Sequence, residues 1–155
     1  MNNIELLRYL MKCAEREGTN KLNRILQPLD ITANQSEVLI ILAAHEPLSL
    51  KEVGELLICE RKSPSRLVQK LVEKNLVYKS QSIEDNRKTV LHLTKKGRDL
   101  IPKINKLEDE FNSAILHLFR DESSIDLLIS TFLNYIKDTE SEKKISLRRQ
   151  WADNI

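Results

Sequence analysis

Glycine is scarce, with three in 155 residues. Glycine-rich phosphate cradles and nucleophile elbows need several at fixed spacing, and neither motif occurs. Aromatic residues make up 5% of the chain, a composition that suits helices better than a β-sandwich. The two cysteines, Cys13 and Cys59, do not make a disulfide framework. His45, His92 and His117 are scattered, with no H-x-x-x-H or C-x-x-C spacing, so no metal site is expected. No apolar run approaches the roughly 20 residues that span a bilayer. The start, Met1-Asn2-Asn3-Ile4-Glu5, has neither a basic n-region nor an apolar h-region, so no secretory signal is expected. The expectation is a soluble cytoplasmic protein that is not an enzyme and has no membrane partner, metal or cofactor.

Charge, by contrast, is plentiful and unevenly spread. The formal net charge is +2. From Glu60 to Arg98, eleven Lys and Arg face four acids, a balance of +7. The other residues hold fourteen basic and nineteen acidic side chains, a balance of −5. A basic middle in an otherwise acidic chain is the footprint of a polyanion binder, although charge runs are also ordinary solvated faces.

Periodicity divides the chain. Ile4, Leu7, Met11, Ala14, Gly18, Leu22 and Ile25 recur at helical steps and predict one helix over 4–27, ended by Pro28. Leu6, Leu10 and Leu26 widen its apolar stripe, so this helix wants partners on more than one side. Thr32…Gln35 and Ser49…Glu52 are capping boxes that start two short helices, the second with a Leu48–Val53 staple. A fourth helix is expected from about Arg61 to Lys74, with Pro64 in its first turn and Ser63 as candidate N-cap. Pro64, Leu67, Val68, Leu71 and Val72 form its apolar face, and Ser65, Arg66, Gln69, Lys70 and Glu73 the opposite one. Asn75 fits a left-handed position just beyond. Leu76–Lys79 and Thr89–Leu93 read as a hairpin with a polar tip over 80–88. Thr94 caps a helix to about Phe119 that contains Pro102, where a kink is expected. A last amphipathic helix is expected from Ser124 to about Lys137. The charged tail from Asp138 either frays or forms a short helix.

Two short helices, a basic helix and a hairpin, in that order, resemble the MarR family of bacterial transcription regulators. The resemblance spans about residues 4–137. It rests on Ile31-Thr32…Gln35…Val38-Leu39, on Ser49-Leu50-Lys51-Glu52-Val53-Gly54-Glu55-Leu56-Leu57 and on Ser65-Arg66-Leu67-Val68-Gln69-Lys70-Leu71. Leu76-Val77, Asp85-Asn86-Arg87-Lys88 and Leu93-Thr94-Lys95-Lys96-Gly97 complete it. Asn75 stands where the family usually has glycine, and Pro64 where an aliphatic residue is usual. The fold class so implied is mostly α with a minor β part: a winged helix-turn-helix with long flanking dimerisation helices. Residues 1–28 would be an N-terminal dimerisation helix and 29–97 the winged DNA-binding domain. Residues 98–155 would be C-terminal dimerisation helices and a charged tail.

That resemblance implies a homodimeric repressor that reads a pseudo-palindrome in double-stranded DNA, its recognition helices about 34 Å apart. Arg66 and Gln69 would read guanine and adenine edges. Lys62, Ser63, Ser65 and Lys70 would hold phosphates. A Lys70–Lys74 pair, one helical turn apart, repels in the absence of DNA, which favours this reading over a merely solvated face. Arg87 is similar to the family's minor-groove arginine, with Asp85 holding its guanidinium and Lys88 beside it. The alternative for Asp85 is a turn-forming Asp-Asn pair. Lys95 and Lys96 would touch backbone phosphates. A small amphipathic or phenolic ligand is the effector the resemblance implies.

Two other readings stay open. A redox-responsive regulator would act through Cys13, which Lys12 and Arg16 flank with positive charge. Cys13 lies nearer Thr32 than the family's sensing cysteine, and without the aromatics that usually follow it. A small packed hydrophobe explains both cysteines equally. A winged domain without DNA binding would instead be a protein-interaction module.

Overall fold

A computed structural model describes residues 1–58 and 63–152. Helix α1 (Asn3–Leu26) opens on a capping box absent from the sequence expectation. Asn2 Oδ1 accepts from the Ile4 and Glu5 amides at 3.0 and 2.9 Å, and the Asn2 amide donates to Glu5 Oε2 at 3.0 Å. A 3-10 turn, Gln27–Leu29, carries Pro28 and ends at Asp30, which is left-handed at φ 55°. Helix α2 (Ala33–His45) starts at the expected Thr32–Gln35 box, and α3 (Leu50–Leu56) at the expected Ser49–Glu52 box. Leu48 and Val53, the expected staple, are both buried.

Helix α4 (Pro64–Glu73) begins with Pro64 in its first turn. Ser63 occupies the N-cap position but makes no side-chain cap bond. Arg61 and Lys62, expected in this helix, lie outside the described residues. Asn75 is left-handed at φ 57°, as expected. Strands β2 (Val77–Gln81) and β3 (Thr89–Leu93) pair antiparallel, with Tyr78 opposite His92. A third strand, β1 (Leu48–Ser49), joins the far side of β3, giving the order β1-β3-β2. Two residues are too few to carry an alternation, so the sequence pattern missed it.

Thr94 caps α5 (Lys95–Leu116), which contains Pro102 and ends ahead of the expected Phe119. Helix α6 (Glu122–Tyr135) starts ahead of the expected Ser124, because Asp121 Oδ1 accepts from the Ser124 amide at 2.8 Å and makes Asp121 the N-cap. The tail is a third C-terminal helix, α7 (Glu140–Ala152).

The core lies between α2, α3, α4 and the sheet. Val38, Leu39, Leu42, Val53, Leu56, Leu57, Val68, Leu71, Leu91 and Leu93 are buried there, closed by Leu26 from α1 and Ile104 from α5. Removing so much apolar surface from water is the main term that holds these short elements together. The flanking helices differ. In α1 only Leu26 is buried, while Ile4 is 74% and Leu10 53% exposed. In α6 no residue is buried, and Leu127 is 70% exposed. None of the described helices is long and apolar enough to cross a membrane.

Candidate nucleic-acid interface

Helix α4 buries Val68 and Leu71, and this fixes which side of it faces out. Ser65, Arg66, Gln69 and Lys70 are all exposed on that outer side, as the sequence expects. Their states differ. Arg66 and Lys70 have no side-chain partner among the described residues. Gln69 is engaged at both ends of its amide: Nε2 donates to Glu73 Oε1 at 3.2 Å, and Oε1 accepts from Lys79 Nζ at 3.5 Å. Ser63 is half-buried at the helix start. Lys62 lies outside the described residues.

Lys74 overturns one expectation. Its ammonium pairs with Asp30 Oδ2 at 3.1 Å and also donates to the Asp30 carbonyl. A paired Lys74 leaves no unbalanced Lys70–Lys74 repulsion for a polyanion to relieve, so that argument for DNA falls away. Among the described residues, Lys70 remains the free cation of the two.

The hairpin tip is a built turn. The Ser82 amide donates to the Lys88 carbonyl and the Lys88 amide to the Asp85 carbonyl, each at 2.8 Å. Asp85 Oδ1 accepts from the Arg87 amide at 3.0 Å. This corrects the expected role of Asp85. Its carboxylate holds the Arg87 backbone rather than the guanidinium, as the Asp-Asn turn alternative has it. Arg87 and Lys88 are exposed, and the Arg87 guanidinium has no partner among the described residues. Lys88 sits near enough to Glu52 to bear on its charge. The Glu52 carboxyl is held below its usual range, first by the Ser49 hydroxyl and amide bonds and then by Lys88 and Lys51.

Behind the tip, the base of the hairpin is tied to its neighbours. Glu46 accepts from the Leu93 amide at 2.6 Å and pairs with Arg98. On the sheet's outer side Tyr78 stacks on His92, centroids 4.9 Å apart, and His92 Nε2 shares a 3.0 Å hydrogen bond with Ser80 Oγ. Of the two lysines at the start of α5, Lys95 pairs with Asp99 at 2.9 Å and Lys96 donates to the Lys74 carbonyl at 3.0 Å. Both remain exposed.

A cleft the sequence did not reveal lies between α1, the start of α2 and α4. Its volume is about 470 Å³, and Thr19, Asn23, Thr32, Gln35, Arg66 and Lys70 are among its walls. Asn23 Oδ1 accepts from the Ala33 amide at 2.8 Å, joining α1 to the α2 start. No local motif marks this cleft, because its walls come from three separate helices.

Cys13 is exposed on α1, and Arg16 Nη2 lies 3.8 Å from its sulfur. Cys59 lies outside the described residues. Among the described residues no group of three or more His, Cys, Asp or Glu side chains could hold a metal ion.

Comparison with known proteins places this geometry. A model of the family described as transcriptional regulator SarA/Rot matches residues 20–104. The chain is 30% identical over 89 residues to the organic hydroperoxide resistance transcriptional regulator of Bacillus subtilis, a stretch covering 57% of this chain and 60% of that protein. It is 25% identical over 129 residues to the HTH-type transcriptional regulator SarZ of Staphylococcus saprophyticus, covering 83% of this chain and 86% of that one. Among solved structures, MepR of S. aureus in complex with DNA superposes with a TM-score of 0.76 at 23% identity, covering 83% and 95% of the two chains. The winged helix-turn-helix fold expected from the sequence is borne out.

Proposed function

The chain belongs to the SarA/Rot family of transcriptional regulators, and from that premise we propose that it binds double-stranded DNA as a homodimer and represses transcription until a small molecule releases it. One observation carries the reading. The outward face of α4 offers Ser65, Arg66, Gln69 and Lys70, and the adjoining wing offers Arg87 and Lys88, all exposed. In this assignment α4 enters a major groove, with Arg66 on a guanine edge and Gln69 on an adenine edge. Gln69 exchanges its bonds to Glu73 and Lys79 for the base. Lys62, Ser63, Ser65 and Lys70 hold phosphates, as do Lys95 and Lys96 near the start of α5. Arg87 enters a minor groove, where a narrow A/T-rich stretch concentrates negative potential, and Lys88 follows along the backbone. The DNA complex of MepR supports the docking by analogy of fold.

The flanking helices support the dimer. Exposed Ile4, Leu7 and Leu10 on α1, with Leu127 and Ile129 on α6, form apolar faces that a second copy would cover by two-fold symmetry. A small amphipathic or phenolic anion fits the cleft beside α4, where Arg66 and Lys70 supply positive charge. DNA and effector then draw on the same two cations, so the effector's affinity for the DNA-free state sets the release. Work of this kind would be done in the cytoplasm.

Fluorescence anisotropy tests the reading, with duplex DNA from upstream of the protein's own gene against a scrambled duplex, as a salt series. Sequence-selective binding with a steep negative salt slope is expected. Weak binding to both duplexes at low salt would overturn it in favour of a protein-interaction module. Light scattering on the same sample checks the dimer.

A second reading, redox control, has one observation behind it: exposed Cys13 with Arg16 beside its sulfur. The Bacillus subtilis relative's role in organic hydroperoxide resistance points the same way. Release of DNA on adding cumene hydroperoxide, lost in Cys13→Ser, would establish it. Release that persists in the variant would remove it.

A further inference from the structure

The family match ends at residue 104, so α7 lies well beyond it. Yet α7 is bonded to the DNA-reading half at several points. Lys144 Nζ donates to the Gly54 and Leu57 carbonyls at 2.9 and 2.8 Å. Arg148 Nη1 donates to the Leu56 carbonyl at 3.2 Å and to Glu37 Oε1 at 2.9 Å. These three carbonyls close α3, and a helix end leaves such acceptors without partners of its own. Two cations there also meet the negative end of the helix dipole. The same Glu37 oxygen accepts from the Ile58 amide at 2.9 Å. The Glu37 side chain is only 10% exposed and Arg148 30%, so the pair is largely shielded from water. Leu147 and Trp151 pack against the core on either side of Arg148 in sequence.

The contact carries on into α4. A Cβ placed on Gly54 would stand 3.3 Å from Cγ of Pro64, the first residue of α4, so the end of α3 and the start of α4 meet backbone to ring. Lys144 therefore holds the carbonyl of the residue against which the recognition helix begins. Ser63 makes no side-chain cap bond at that start; its carbonyl accepts from the Arg66 and Leu67 amides at 3.1 and 3.3 Å.

We infer that α7 is a brace that sets the position of the recognition helix, with Glu37, Lys144 and Arg148 as its positioning residues. The brace acts through α3 and Gly54 and touches no DNA. Its effect on DNA rests on the function proposed above; its effect on α4 does not.

The sign of one substitution separates the brace from plain electrostatics. Glu37→Met makes the protein more positive, so charge alone would tighten DNA binding. Loss of the brace weakens it. The expected result is a fall in affinity for the upstream duplex of about tenfold, the equivalent of about 1.4 kcal/mol, at a temperature where circular dichroism shows the fold intact. Arg148→Met should lose as much, and Arg148→Lys should recover part of the loss. Lys144→Met and the milder Glu37→Gln stand in if Glu37→Met does not fold. Hydrogen–deuterium exchange gives a readout that needs no DNA: amides of residues 65–73 should exchange faster in the folded variants than in wild type. Unchanged exchange there, or tighter DNA binding by the Glu37 variants, overturns the brace. If wild type binds no duplex, the function proposed above fails, and the exchange measurement still decides the brace.

Discussion

The carbonyl oxygen of Leu76 fills the space that a side chain on Gly97 would need. That carbonyl accepts from the Thr94 amide at 3.0 Å. The Thr94 hydroxyl donates to the Asn75 carbonyl at 2.8 Å and accepts from the Gly97 amide at 3.0 Å. Leu93-Thr94-Lys95-Lys96-Gly97 is therefore a clasp. It closes the foot of the β2–β3 hairpin and the start of α5 onto the end of α4.

Gly97→Ala should accordingly destabilise the protein. The obstructing atom is backbone and cannot swing away, so the helix start must shift. Overpacking of this kind costs about 1–3 kcal/mol. A urea titration of the variant should show a lower midpoint with an unchanged slope. An unaltered midpoint would mean that the clasp has room the geometry denies it.

Asn75 makes the opposite case, a residue whose backbone is strained and whose space is free. Its φ of 57° suits glycine, and asparagine better than most side chains. Asn75→Ala should cost about 1 kcal/mol, from the roughly 1–2 kcal/mol that left-handed backbone costs an L-residue. Asn75→Gly should be close to neutral. The two variants, compared by denaturant midpoint, separate backbone strain from any role of the amide side chain.

Arg87→Ala should leave the thermal midpoint unchanged, because the guanidinium has no partner among the described residues. It should weaken binding to duplexes with A/T-rich flanks more than to those with G/C-rich flanks. The salt slope should drop by roughly one phosphate contact. Equal losses on both flanks would move Arg87 from the minor groove to the backbone.

These residues also mark how far the sequence could be read. Thr32, Ser49 and Thr94 announce helix starts because a cap is a local chemical event, complete within four residues. The outer face of α4 was legible because Val68 and Leu71 must turn inward. What depended on distant partners was not. Asp30, 44 positions away, neutralises Lys74. Gln69 is held by Lys79 on the next element. Asp85 could equally have reached the Arg87 backbone or its guanidinium, and only the turn geometry decides. The docking of α7 was the least legible of all. Lys144 and Arg148 look like ordinary tail charges until the end of α3 is brought beneath them.

His45 offers a test of that docking through pH. Its ring meets the edge of Trp151 with centroids 4.5 Å apart. Burial there, and then the charge of Arg148, hold the imidazole pKa below its usual 6.5. The folded state therefore resists a proton that the unfolded chain accepts near pH 6.5. Folding is fully supported above that value, and stability is lost as pH falls from about 6.5 toward the lowered native value. Glu52, Asp121 and Glu140 are also held low, but from ordinary values of 4.5, 3.8 and 4.5, so their window is more acid. The thermal midpoint should drop between pH 7.5 and pH 5.5, and His45→Gln should flatten that drop. Trp151 is the sole tryptophan, so its emission reports on α7 directly. In wild type the emission should change over the same pH range as the midpoint, because protonated His45 faces both Arg148 and the indole. A midpoint that falls equally in wild type and variant would place the acid sensitivity elsewhere and leave α7 docked through the range.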